Sequence, residues 1–119
     1  EAPLIDERLL NTPSFAIPEC NSVAIDMAKL SVKTIKDALS LVNNYDKKVL
    51  DSVYETESEI DKYEDQLGAY LVKLSSKDLT YSDSNQISKL LRAIGDFERI
   101  GDHAVNIVDT LTEMTDNAW

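Results

Sequence analysis

The stretch KKVLDSVYETESEIDKYEDQLGAYLVKL, Lys47 to Leu74, decides the fold. Its Leu50, Val53, Ile60, Leu67, Leu71 and Leu74 recur at intervals built from threes and fours, the period that places side chains on one face of an α-helix. No proline interrupts it. A helix of this length spans ~40 Å at 1.5 Å per residue, and it needs neighbours of similar length to cover its apolar stripe. The same count places Glu57 between Val53 and Ile60, and Glu64 between Ile60 and Leu67. Two carboxylates therefore interrupt an apolar seam.

The period continues on both sides. Upstream, Cys20, Val23, Met27, Leu30, Thr34, Ala38 and Leu41 form one stripe, with Ala24, Ala28 and Ile35 beside it, and predict a first helix over 18–42. Downstream, Ile87, Leu91, Ile94, Gly101, Val105 and Val108 predict a third helix running to about Glu113. The cluster Asn43 to Asp46 separates the first two helices, with Asp46 placed to cap the second. The polar stretch SSKDLTYSDSN separates the last two, where Asp83 and Gln86 make a capping-box variant. All three prolines lie in the first 18 residues. Residues 1–17 thus read as an irregular connector with a turn at Thr12-Pro13-Ser14, and Pro18 suits the first turn of the first helix. Residues 18–116 form a single bundle and 117–119 a tail. Short breaks between long helices pack neighbours antiparallel. The fold class is all-α, an up-down-up antiparallel three-helix bundle resembling a spectrin-like repeat. Strand-length alternation and Asn-Gly or Asp-Gly turns are absent from the sequence.

The chain has 119 residues, 43% apolar and 29% charged, which is one domain. Twenty-two acids against 12 Lys and Arg give a net charge of -10, which argues against a nucleic-acid or anionic-membrane binder. Cations and basic protein surfaces are the natural counterparts. One cysteine, Cys20, forms no internal disulfide, and the expected setting is cytoplasmic. No run approaches the ~20 apolar residues that cross a bilayer. The missing initiator Met points to a processed product or an excised piece.

The acids divide by position. Glu98 continues the seam of the third helix after Leu91 and Ile94, one turn from Gly101. Glu57 has Asp61 four residues on, and Glu98 has Asp102 four residues on, so each pair shares one helical face. Antiparallel packing of the second and third helices brings both pairs together near mid-helix. An unpaired carboxylate in an apolar seam is costly, so protonation, Lys or Arg partners, or metal ions must neutralise the group. Asp46 to Leu74 holds eight acids against four Lys, and the third helix holds seven against three bases. Local bases are too few, even with Arg92 and Arg99 in reach of Asp96.

All-oxygen ligation suits hard or borderline cations such as Mg, Mn, Ca or Fe. A ferritin-like Glu-x-x-His motif is excluded, because the one histidine, His103, follows Ile100 by three. On this reading Gly101 makes room for ions or water between the helices. The bland alternative keeps each seam Glu as a register device or a solvent-reaching carboxylate, in a structural bundle without metal. Asp51, Glu55, Glu59, Asp65, Asp109, Glu113 and Asp116 read as a solvated face, His103 as exposed surface, Cys20 as a small seam hydrophobe and Trp119 as a terminal residue. The sequence holds no Ser-His-Asp set and no glycine-rich phosphate loop, so an enzyme is not expected.

The segment LLRAIGDFERIGDHAVNIVD, Leu90 to Asp109, resembles the signature helix of PhoU-type proteins, with ERIGD its most recognisable block. ETESEIDKYE, Glu55 to Glu64, is similar to the companion motif on the preceding helix of that family. IDERLLNTPSFAI, Ile5 to Ile17, resembles the connector before the PhoU-like cytoplasmic domain of bacterial sodium/phosphate cotransporter-family proteins. The resemblance implies a three-helix bundle whose E/D-x-x-x-D motifs bind multinuclear metal clusters of Fe, Mn, Mg or Zn. It places the ligands at Glu57, Asp61, Glu98 and Asp102, with Glu64 a weaker candidate. It also implies a non-enzymatic regulatory domain controlling phosphate uptake, tethered at the inner face of the membrane to a transporter domain of the same polypeptide. The alternative is a free-standing regulator that contacts the phosphate transport machinery. PhoU proteins carry two such bundles in tandem and this chain carries one, so a second bundle or a second copy is the expected companion.

Overall fold

The computed structural model describes residues 4–116. It contains a 3₁₀ turn, Glu7–Asn11, and three helices: α1, Pro13–Asn43; α2, Lys47–Ser75; and α3, Tyr81–Asp116. They form the expected three-helix bundle, a rod with extents of 59 × 27 × 17 Å. Cross-helix contacts give the directions. Lys33 Nζ donates to Ser52 Oγ and Tyr70 Oη donates to the Asp6 carbonyl, so α2 runs antiparallel to α1. Gly68 faces Ile94 and Gly101 faces Ile60, so α3 runs antiparallel to α2. None of the described helices is long and apolar enough to cross a membrane.

Local chemistry accounts for the boundaries. Asp46 caps α2 by accepting from the Lys48 backbone N–H, as its position predicts. The expected opening of α3 at Asp83 is corrected: Thr80 Oγ1 accepts from the Asp83 N–H, and the helix starts at Tyr81. The first helix also starts earlier than the 18–42 span. Pro13 occupies its first turn, where a missing N–H costs nothing, and Pro18 lies inside the helix. The bond lost at Pro18 is the one to the Ser14 carbonyl, on an exposed residue that water can serve. Ala16, Ile17 and Cys20 on either side are buried with Ile5, and that packing keeps the chain helical through the proline. Among the described residues of the connector, Ile5 is buried and Glu7 is paired to Lys73. The 117–119 tail and Trp119 lie outside the described residues.

The core falls into two apolar clusters. One gathers Ile5, Ile17, Met27, Ile60, Leu67, Leu71, Leu74, Ile87 and Ile94 among others, and the second is Ala38, Leu41, Leu50, Val53, Ala104 and Val108. The buried side chains of α3 include Leu90 and Ala104, while Leu91 and Val105 from the expected stripe are only partly covered. Buried polar residues occur among these apolar side chains: Ser31 and Thr34 on α1 and Thr56 on α2. Ser31 Oγ donates to the carbonyls of Met27 and Phe97, which ties α1 to α3. Thr34 Oγ1 has no hydrogen-bond partner among the described residues.

Gly101 does not open a space for ions. A Cβ there would stand 3.3 Å from Ile60 Cδ1, so the missing side chain is replaced by a neighbour's. The glycine lets α3 approach α2 closely. Gly101→Leu should therefore wedge the helices apart and lower stability by about 1–3 kcal/mol in urea unfolding, the usual cost of overpacking a filled core. A substitution without effect would mean that Ile60 yields freely.

Candidate metal centre

Antiparallel pairing of α2 and α3 sets one row of carboxylates against another. On α2 the row is Glu57, Asp61 and Glu64; on α3 it is Glu98 and Asp102. The register follows from the two glycine contacts. Gly101 lies on Ile60 and Gly68 on Ile94, so Glu64 and Glu98 occupy the level between these contacts, while Asp61 and Asp102 flank the Ile60–Gly101 contact. Glu57, Asp61, Glu64 and Glu98 are half-buried, and Asp102 is exposed. The heptad count placed Glu57 and Glu64 in the core. Between Val53 and the expected Ile60 the buried residue is instead Thr56, and both glutamates sit at the edge of the seam, where a carboxylate retains part of its hydration.

The electrostatics show which groups act on one another. The Glu57 carboxyl is pushed up to about 7, chiefly by desolvation, then by a hydrogen bond with Asp61 and the negative charge of Asp61 and Asp102. Glu98 is likewise pushed up to about 7, by desolvation, by a hydrogen bond with Asp102, and by the charge of Asp102, Glu64 and Asp61. Glu64 is raised by desolvation and by Asp61, Asp65 and Asp102. Within each i,i+4 pair the aspartate raises its glutamate, and the two rows repel across the seam. Glu64, the weaker candidate from sequence, feels Asp61 and Asp102 of the same group but has no hydrogen-bonded carboxyl partner among the causes of its shift.

No base relieves the repulsion. The ion pairs of the described residues are Arg8–Asp6, Lys33–Asp37, Lys47–Asp51, Lys73–Glu7 and Arg99–Asp96, all outside the seam. Arg99 is taken by Asp96, as the i,i+3 spacing allows. The donor set is entirely oxygen, which fits hard cations in chemistry. In arrangement it is pairs rather than a cage: no three His, Cys, Asp or Glu side chains among the described residues are placed to hold one metal ion. Side chains on these two rows would have to rotate to close on a cation.

Two features escaped the sequence reading. Asp109, assigned to a solvated face, accepts a hydrogen bond from Tyr54 Oη across the α2–α3 seam, and this pushes the Tyr54 phenol up to about 12. The i,i+3 and i,i+4 patterns that locate same-helix pairs carry no signal for such a cross-helix bond. The buried Ser31 and Thr56 were equally hidden, because small hydroxyl residues carry no apolar signal in the sequence, whereas Thr34 is buried as its place on the first stripe predicts. His103 is exposed, as expected. Cys20 is fully buried, and burial pushes its thiol up to about 11, so it behaves as a small hydrophobe.

Comparison with known proteins bears on the whole bundle. The family model for the PhoU domain matches residues 24–111, a span that includes parts of all three helices. Two curated relatives, each described as a phosphate-specific transport system accessory protein PhoU homolog, come from Xylella fastidiosa strains Temecula1 and 9a5c. Each is 30% identical to this chain over 83 residues, covering 70% of the chain and 35% of the relative. The chain thus matches only about a third of the length of these relatives. No solved structure matches it significantly.

The raised carboxyls fix the sign of a pH effect. Glu57 and Glu98 bind protons more tightly folded than unfolded, so the native state holds more protons between the unfolded value of 4.5 and about 7. Stability without added metal should fall as pH rises through that window. Thermal melts from pH 4.5 to 7.5 should show this decline, and Glu57→Gln with Glu98→Gln should flatten it and raise Tm at the upper end. A double variant that melts below the parent at pH 7.5 would contradict the assignment.

Proposed function

The chain belongs to the PhoU domain family, and on that premise we propose that it is a non-enzymatic regulatory module of phosphate transport machinery. The observation that carries this reading is the continuous PhoU match across the bundle, together with the two carboxylate rows on its α2–α3 seam. The named relatives are accessory proteins of a phosphate-specific transport system, which supports the free-standing accessory role. That role is favoured over the reading as a tethered domain of a sodium/phosphate cotransporter. The latter draws on the resemblance of the Ile5 to Ile17 connector alone. In both readings the module works on the cytoplasmic side and acts on a transporter by contact.

The seam supplies the second half of the proposal. Glu57, Asp61 and Glu64 from α2 and Glu98 and Asp102 from α3 would hold divalent or multinuclear metal ions, Fe, Mn, Mg or Zn. Bound cations would supply the positive charge that the bundle's own bases do not. The part of Glu57 and Glu98 is to give up their protons and turn toward the ions, which couples metal loading to pH and to the spacing of α2 and α3.

Protein purified without chelator should contain metal by elemental analysis, and adding Mn or Fe to chelator-stripped protein should raise Tm by several degrees. Glu98→Gln should lower the metal content while leaving the stripped fold intact. Absence of metal, with no change in Tm on addition, would leave a structural bundle. For the regulatory role, deleting the gene in its host should change the rate of phosphate uptake, and the Glu57→Gln, Glu98→Gln variant should fail to restore it. Unchanged uptake in the deletion strain would overturn that role.

A further inference from the structure

The described part of the connector is tied to α2 at regular intervals. The Leu4 backbone N–H donates to Gln66 Oε1 at 3.3 Å, Tyr70 Oη donates to the Asp6 carbonyl at 3.0 Å, and Lys73 Nζ meets Glu7 Oε1 at 3.3 Å. Gln66, Tyr70 and Lys73 follow one another at steps of four and three, so they form one row on α2. Between the first two contacts Ile5 is buried in the apolar cluster that also holds Ala16, Ile17 and Cys20. Desolvation and, after it, the nearby Cys20, Glu7 and Asp6 push the Tyr70 phenol up to about 12, which sets the ring beside both the fully buried thiol and the connector.

The hold is slight for the length of chain it fixes. None of the residues of the 3₁₀ turn is buried, and Leu9 and Leu10 are only partly covered. The Lys73 and Glu7 side chains are 58% and 56% exposed, and the Leu4–Gln66 bond lies at the surface, so water can replace both contacts. Packing is incomplete on both sides of Leu4: a depression of about 290 Å³ lies between the connector and Ala69 and Lys73, and one of about 190 Å³ between Leu4, Glu59 and Tyr63. Fixing residues 4–12 costs backbone entropy at each of them, against one buried side chain and three polar contacts. A joint is built in as well. Thr12 takes φ -133° and ψ 73°, outside the helical region, because Pro13 disfavours a helical conformation for the residue before it. The Thr12 N–H donates to the Leu9 carbonyl and the Thr12 carbonyl accepts from Phe15 and Ala16, so the 3₁₀ turn and α1 are separate bodies that meet at one residue.

We propose that residues 4–12 form a clasp that opens from the Gln66–Tyr70–Lys73 row as a unit, turning about Thr12 while the three helices stay folded. Opening withdraws Ile5 and breaks three polar contacts that water can serve, and it touches no hydrogen bond within α1, α2 or α3. A segment held this way belongs to the least stable cooperative unit of a native protein. Closed, the clasp covers Cys20. Open, it leaves the thiol reachable and presents Gln66, Tyr70 and Lys73 to the surroundings, so the clasp is a reversible cover on the α1–α2 groove. The inference stands apart from the phosphate reading, because it rests on none of the seam carboxylates.

The test follows the reaction of Cys20, the chain's one thiol, with an aromatic disulfide reagent in the full chain over a urea series. At low urea the rate should be almost independent of urea, because opening the clasp exposes little surface. It should also be at least about tenfold faster than global unfolding permits, while amide exchange at Ile60 and Leu67 follows the global transition. Tyr70→Phe keeps the ring and removes its bond to the Asp6 carbonyl, and should raise the low-urea rate about three- to tenfold. Ile5→Ala should raise it about tenfold or more with helical circular dichroism unchanged. Should Ile5→Ala lose its helices, Tyr70→Phe, which leaves the core volume intact, carries the test. A Cys20 rate that climbs with urea as steeply as global unfolding would overturn the proposal, since the thiol would then be reached only when the bundle unfolds. So would a low-urea rate indifferent to Tyr70→Phe, which would assign access to the opening of another segment.

Discussion

Carboxylates facing one another across the α2–α3 seam cannot all be ionised, half-buried and unpaired, and the rest of the bundle accommodates that constraint. Desolvation and mutual repulsion push Glu57 and Glu98 to about 7, so protons stand in for the missing positive charge at neutral pH. The helices remain in contact because the apolar packing of Ile60 on Gly101 and Ile94 on Gly68 closes the seam around the charged rows. Small residues at these two points bring the helix axes close without adding side chains to a crowded layer. The seam therefore combines repulsion among its carboxylates with close helix approach.

The arrangement also explains why the core is divided. A continuous apolar core behind the carboxylates would raise their desolvation further. Instead the interior includes Ser31, Thr34 and Thr56, and Ser31 ties α1 to the α3 backbone at Phe97, next to Glu98 in sequence. The two apolar clusters hold the bundle from either end.

Much of this was legible in the residues. The three-four spacing of Leu50 through Leu74 fixes a helix, the Asp46 cap fixes where it starts, and the lack of internal prolines after Pro18 allows its neighbours to match its length. The pairing of Glu57 with Asp61 and of Glu98 with Asp102 follows from helical geometry alone. Other features depend on packing, which periodicity does not encode. Pro18 reads as a helix start, but burial of Ala16 and Ile17 carries the helix back to Pro13. Gly101 reads as a vacancy, but Ile60 fills it. Tyr54 finds Asp109 through a register that two separate helices set only when packed. The heptad count places Glu64 near the seam, but the desolvation that raises it and the charge of Asp102 across from it come from packing.

The central claim is that Glu57 and Glu98 share one strained electrostatic environment at the seam. Site-resolved carbon NMR of the glutamate carboxyls, followed through a pH titration of metal-free protein, reads it directly. The account predicts that the Glu57 and Glu98 signals titrate with midpoints near 7, well apart from the exposed glutamates. Midpoints for both near the ordinary glutamate value of 4.5 would contradict it.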